Sequence, residues 1–150
     1  MGKINYVIGD ATNPQGDGNK LILHICNDIG AWGAGFVLAL SARWSAPEER
    51  YRAQSHYVLG NIQLVDVEDD ITVVNMIAQH GVGPDKDGIP PIRYLALIDA
   101  LANVNKVAKA MSATVHCPRM GAGLAGGDWK FIETILRESL SVPVTVYDLS

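Results

Sequence analysis

Two glycine-rich stretches carry the strongest chemical signal in this chain: Gly30-Ala31-Trp32-Gly33-Ala34-Gly35, and Pro118 to Gly127 with glycines at 121, 123, 126 and 127. Small residues let backbone N–H groups come close to an anion, and a helix that follows adds its positive end. Both stretches lead into helical patterns, so a pair of them suits a diphosphate. Neither is a standard nucleotide motif: the first lacks the G-x-G-x-x-G order, and no G-x-x-x-x-G-K-[ST] occurs. Read alone, each loop is equally a set of tight turns.

The groups able to move protons or bind metals are sparse. The four histidines, His24, His56, His80 and His116, form no H-x-x-x-H pair, and no Cys/His cluster suggests zinc, so no metal is expected. Cys26 and Cys117 are too few for a disulfide framework and lie in apolar runs, which reads as buried thiols in a reducing compartment. His116 alternates with Val115 and Cys117 along a strand, a structural position. Three groups keep two readings each. His24 is either a core histidine or a base, and His80 is either an exposed loop residue or a base. Asp128 either caps the last helix or orients a water or an imidazole.

These groups need a scaffold, and the patterning supplies one. Apolar runs at Lys3–Ile8, Leu21–Cys26, Tyr57–Val67, Ile71–Ala78, Ser112–Cys117 and Val142–Asp148 read as strands. Helical spacing runs from Gly33 to Ala42, then from Pro47 to about Ser55. It resumes from Pro91 to about Val107, with Ile92, Leu95, Ile98, Leu101 and Ala102 on one stripe. After Asp128 the stripe is Phe131, Ile132, Ile135, Leu136 and Leu140. Helices interleaved with apolar strands argue an α/β fold whose sheet is covered on both faces. In such sheets ligands gather beyond the carboxyl ends of the parallel strands. Four loops qualify: Gly9–Asn19, Asn27–Gly35, Gln79–Pro90 and Pro118–Gly127.

With 150 residues, 48% of them hydrophobic, the chain is expected to be a single domain spanning 1–150. Twelve Lys and Arg against sixteen Asp and Glu leave a net charge of -4, which argues against a duplex nucleic acid binder. No window offers 18 apolar residues free of charge, so no membrane partner is expected, and the expectation is a cytoplasmic monomer.

Ile8-Gly9-Asp10-Ala11-Thr12, Leu21 to Asn27, Trp32-Gly33-Ala34-Gly35-Phe36, Cys117 to Trp129 and Val146-Tyr147-Asp148-Leu149 together resemble the macro domain family, which binds ADP-ribose. Within it they resemble the branch containing the terminal ADP-ribose–protein glycohydrolase and the yeast ADP-ribose 1''-phosphate phosphatase. The resemblance implies a three-layer α/β/α domain around a central mixed, mostly parallel sheet. It also implies that Asp10, with Gly9 and the Ala11 backbone, receives the adenine, which Tyr147 borders. Asn27 would meet the distal ribose. Trp32, Gly33, Ala34, Gly35 and Phe36 would wrap the diphosphate from one side, and Gly121, Ala122, Gly123, Leu124, Ala125 and Gly126 from the other. ADP-ribose or an ADP-ribosylated protein is the implied partner, with no cofactor.

The chain departs from that glycohydrolase at two positions. The loop after the fourth strand begins Ile77-Ala78-Gln79-His80 with no lysine until Lys86, and Ala125 stands where the branch carries an aspartate. The expected activity is therefore hydrolysis by direct water attack, on ADP-ribose linked to acidic side chains or on ADP-ribose 1''-phosphate, with His80, His24 and Asp128 as catalytic candidates. A non-catalytic ADP-ribose reader is the alternative. A scaffold for RNA or poly(ADP-ribose) is disfavoured by the acidic balance.

Overall fold

A computed structural model describes residues 3–150. Its elements run β1 (Ile4–Ile8), β2 (Lys20–Asn27), α1 (Phe36–Arg43), α2 (Ala46–Arg52), β3 (Ile62–Glu68), β4 (Ile71–Gln79), α3 (Tyr94–Met111), β5 (Thr114–Cys117), α4 (Trp129–Ser139) and β6 (Val144–Asp148). The strands form one mixed sheet in the order β1-β6-β5-β2-β4-β3. Every pairing is parallel except that of β3 with β4.

Alternation along the strands divides the core into two layers. Leu21, Leu23, Val74, Met76, Val115 and Val146 pack against Leu97, Leu101, Ile132 and Leu136 of α3 and α4. Ile22, Cys26, Val73 and Ile77 face the other way, toward Trp32, Leu40 and Tyr51 of the α1 and α2 layer. Covering both faces explains why β2 and β4 read as almost continuous apolar runs. It also sends the segments after β1, β2, β4 and β5 out of the same end of the sheet.

Four expectations are corrected. Residues 57–61 are not strand: Gly60 takes φ +95°, and its N–H meets the Ile77 carbonyl at 2.7 Å, so pairing with β4 becomes regular only from Ile62. The third long helix starts at Tyr94 rather than Pro91. Ile92 instead bridges Gln79 in an antiparallel sense, with Arg93 N–H bonded to the Ala78 carbonyl at 2.8 Å. That shift moves the buried stripe. Leu97, Ala100, Leu101, Val104 and Ala108 face the core, while Leu95 is 80% exposed and Ile98 and Ala102 face water. Phe131 is likewise exposed at the rim of α4.

The corrected stripe makes a stability prediction. Leu101→Ala should destabilise the fold by roughly 2–5 kcal/mol, whereas Leu95→Ala should stay within about 0.5 kcal/mol. Urea unfolding of the two variants measures both.

Candidate functional site

Two adjoining cavities open where the loops leave the sheet. A proximal one of about 200 Å³ is lined by His24, Phe36, Arg119, Met120, Gly121 and Gly123 among others. A distal one of about 330 Å³ is lined by Asn27, Ala31, Trp32, Gly33 and Val82. Ile25, Ala34, Val37, Gln79 and Leu124 border both, so the two are halves of one cleft.

The glycines sort by what holds them in place. A Cβ on Gly127 would lie 2.5 Å from the Gly121 carbonyl oxygen, and one on Gly126 would lie 2.8 Å from Pro90, so packing excludes side chains there. Gly33 and Gly123 are different. Neither has a positive φ, and a Cβ at either would have no neighbour within 4 Å. Neither conformation nor protein packing requires glycine at these two positions, and both line the cleft from opposite loops.

The backbone around them leaves its donors free. Among the described residues, the N–H groups of residues 33–37 and 121–125 have no protein acceptor. Gly35 caps α1 without a side-chain hydrogen bond, leaving that helix start open to a ligand. The second loop is pinned from below by Gly127 N–H on the Gly121 carbonyl at 2.7 Å and Ile92 N–H on the Ala125 carbonyl at 3.1 Å.

Asp10 lies two residues beyond β1, its Oδ1 accepting from the Thr12 N–H and hydroxyl, both at 2.8 Å, while Oδ2 has no partner among the described residues. Gly9 donates to the Asp148 carbonyl at 2.9 Å, and the Asp148 carboxylate holds Arg119 bidentately at 2.6 and 3.0 Å. Gly9, Asp10 and Ala11 line neither half of the cleft and reach it only through Asp148, whose partner Arg119 lines the proximal half. Tyr147 is buried, its hydroxyl shared between Gln15 N–H and His116 at 2.8 Å each, so its polar end faces the protein.

Asn27 lines the distal cavity, yet its amide is spent on the loop. Oδ1 accepts from Ile29 N–H at 3.1 Å and Ala31 N–H at 3.0 Å, and Nδ2 donates to the Ala31 carbonyl at 2.8 Å. Trp32 is buried with its indole N–H on Ser41 Oγ at 2.8 Å, and Phe36 is half-buried over His24. Ala122 and Gly126 belong to the second loop but line neither half of the cleft.

The three proton-transfer candidates separate. His24 lies in the floor of the proximal cavity, 2% exposed and hydrogen-bonded to Asn75 through Nε2. Burial depresses its imidazole to about 4, with the Asn75 bond opposing, so it is neutral at pH 7. Asp128 caps α4, accepting from Lys130 N–H at 3.0 Å, and lines neither cavity. It does not touch an imidazole. That position belongs to Asp28, which the motif reading passed over: its Oδ2 lies 2.7 Å from His80 Nδ1 and its Oδ1 accepts from Gly81 N–H at 2.9 Å. Burial alone would raise the Asp28 carboxyl, but Gly81 and His80 outweigh it and hold it below the ordinary carboxylate value.

Gln79 and Arg119 were also missed as cleft residues. Gln79 ends the apolar run of β4, and a polar residue at the carboxyl end of a parallel strand is the only sequence sign that pointed there. Both thiols are fully buried; burial pushes Cys26 up and raises Cys117 to about 12, so neither is a nucleophile at neutral pH. Among the described residues no group of three His, Cys, Asp or Glu is placed to hold a metal ion, and no helix is long and apolar enough to cross a membrane.

A mixed α/β sheet with two facing loops of free N–H groups beyond its parallel carboxyl ends defines a domain of the α/β/α class. No family model matches the chain. A solved macrodomain protein from Streptomyces coelicolor is 45% identical, with a TM-score of 0.84, covering 99% of this chain and 100% of that one. A Bacteroides thetaiotaomicron structure of unknown function is 49% identical, with a TM-score of 0.91 and coverage of 97% and 98%. The chain belongs to the macrodomain family.

Among curated proteins, it is 33% identical to a chromodomain-helicase-DNA-binding protein 1-like from Danio rerio over 92% of its length. It spans only 14% of that relative, and 17% of the mouse counterpart. An ADP-ribose 1''-phosphate phosphatase from Candida albicans is 22% identical across 98% of its length. Thermosipho africanus DarTG, solved in complex with ADP-ribose, shares the fold at 14% identity and a TM-score of 0.68.

The buried histidines predict a pH dependence. His24 is depressed to about 4 against an ordinary 6.5, and His116 is also lowered to about 4 by burial and by Lys20. Between these values the unfolded chain binds protons that the folded chain refuses, so stability is complete above about pH 6.5 and falls toward pH 4. Urea unfolding at about pH 7 and about pH 4.5 should show a loss of roughly 2–3 kcal/mol from His24 alone.

Proposed function

We propose that the chain binds ADP-ribose along the cleft and hydrolyses its link to an acidic protein side chain. The observation that carries this reading is the pairing of Gly33 and Gly123, two glycines required by neither packing nor φ, on facing loops whose N–H groups lack protein acceptors. The spacing of polar groups supports one orientation. Adenine would lie at Asp10, its exocyclic amine donating to the unpartnered carboxylate oxygen. The diphosphate would then lie between residues 33–37 and 121–125, and the distal ribose between Asn27, Trp32 and Gln79.

Charge favours a carboxylate ester over a terminal phosphate as the bond broken. Among the described residues no Lys or Arg lines the distal cavity, and the Asp28 carboxylate, next in sequence to the lining Asn27 and held in its charged form by Gly81 and His80, stands at its rim. Arg119, the cation of the proximal cavity, is already paired with Asp148. A phosphomonoester dianion at the distal ribose would meet an anion and no counter-charge, whereas an ester adds no charge there. Water is the simplest nucleophile, since both thiols are buried and protonated.

Calorimetry tests the binding half. ADP-ribose should bind at least tenfold better than ATP, a preference of about 1.4 kcal/mol. Asp10→Ala should cost roughly 1.5–3 kcal/mol of that affinity while the fold is kept. Gly123→Val should weaken ADP-ribose binding without a matching loss in urea stability, because the added side chain meets ligand rather than protein. Mass analysis of glutamate-linked mono-ADP-ribosyl protein and of ADP-ribose 1''-phosphate after incubation tests the reaction. Release of ADP-ribose from the first and not the second is expected, and turnover of neither would leave a binding module.

A further inference from the structure

The Asp28–His80 pair stands at the rim of the distal cavity, joined to it on both sides. Asp28 follows Asn27 and His80 follows Gln79, and both neighbours line that cavity, as does Val82 two residues on. The two segments are tied by Asp28 N–H on the Gln79 carbonyl at 2.9 Å and by the Asp28 side chain on Gly81 and His80, while His80 N–H is anchored separately on the Pro91 carbonyl at 2.8 Å. Asp28 is 13% exposed at its side chain and His80 is 61% exposed. An inner carboxylate thus holds one ring nitrogen, and the rest of the imidazole is open to solvent.

That arrangement selects one tautomer. An ionised carboxylate can only accept a hydrogen bond, so His80 Nδ1 must be the donor and the neutral ring carries its lone pair on Nε2. Nε2 has no protein partner among the described residues. A side chain with an oriented, unoccupied acceptor beside a ligand cavity is what proton abstraction requires. Surface histidines without a partner favour no such fixed orientation.

We propose that Asp28 and His80 form the proton-transfer pair of this site, Asp28 as the positioning residue and His80 as the general base whose Nε2 deprotonates the attacking water. This rests on the hydrolytic reading above. In the step, the water oxygen forms a bond to the anomeric carbon as its proton passes to His80 Nε2. The bond from that carbon to the ester oxygen breaks, and its electron pair leaves with the carboxylate. The imidazolium then returns the proton to solvent, giving ADP-ribose and a free acidic side chain. Asp28 stabilises the transient imidazolium and is not itself protonated, the logic by which a carboxylate serves a histidine in hydrolytic triads.

Asp28→Asn separates this role from loop support. The amide keeps the size of the carboxylate and its oxygen still accepts from Gly81 N–H, but its Nδ2 donates to His80 Nδ1 and moves the ring proton to Nε2. On wild type, Asp28→Asn and His80→Ala, kcat and KM on glutamate-linked mono-ADP-ribosyl protein and ADP-ribose affinity by calorimetry are measured, and on the first two the His80 ring tautomer is read by nitrogen-15 NMR. Wild type should show the Nδ1–H tautomer and Asp28→Asn the Nε2–H tautomer. Both variants should lose roughly 10²–10⁴-fold in kcat with ADP-ribose affinity nearly unchanged. Wild-type kcat in either variant, or an Nε2–H tautomer in the wild type, overturns the pair. Loss of ADP-ribose affinity equal to the loss of kcat overturns it in favour of loop support. A wild type that binds ADP-ribose but turns over no ester overturns the hydrolytic reading with it, an outcome distinct from active variants.

Discussion

The shape of the cleft depends first on the side chain of Asn27. At the point where β2 stops, its amide takes the N–H groups of Ile29 and Ala31 and returns a bond to the Ala31 carbonyl, and the Tyr51 hydroxyl lies 2.7 Å from Oδ1. A buried amide with every polar atom satisfied is costly to disturb. It turns the chain sharply, so that Trp32 drops into the core while Gly33, Ala34 and Gly35 stay on the surface with their N–H groups free. The helix α1 then starts at a defined place and direction.

The facing loop is held by a different device. Residues 91–93 do not begin a helix but lie along the end of β4, and from there Ile92 N–H reaches the Ala125 carbonyl. Gly127 is glycine because the Gly121 carbonyl leaves no room for a Cβ, and Gly121 and Gly126 take φ of +80° and +74° with Ile92 and Pro90 crowding them. The brace leaves Gly123 and Leu124 projecting, one over open space and the other 71% exposed. Two loops far apart in sequence are thus fixed at a separation that neither sets alone, which is the condition for gripping a small anionic ligand with backbone groups.

In a chain of net charge -4, such a grip on an anion would come from local geometry rather than from the overall field. The one cation at the proximal cavity is neutralised by Asp148 and flanked by the rings of Tyr6 and Trp129 at 5.0 and 5.6 Å. An anionic ligand held mainly by N–H dipoles loses less affinity to salt than one held by a basic patch, because few counterions are exchanged. The same economy of charge runs through the core, where His24 and His116 are buried neutral.

Strand alternation and the two glycine-rich stretches made the α/β class and the four loops at the strand ends legible from residue types and spacing, while the three-layer architecture and the mixed sheet were implied by the family resemblance. The features read from spacing are local: the largely apolar run of β2, or a glycine followed by a helical stripe, carries its meaning within a dozen residues. The phase of α3 was misread because Ile92 shares the helix's apolar character but is held extended by Gln79, 13 residues earlier. Asp28 escaped notice for a related reason. Its significance lies in His80, 52 residues away, which β2 and β4 bring alongside by pairing in parallel. Asp128, which shares a motif with the second loop, was assigned the role that only tertiary structure could give to Asp28. Which glycines serve packing and which leave space is likewise a fact about neighbours from elsewhere in the chain. Sequence patterning set the elements and the loops; the partners of each polar atom were decided when the sheet closed.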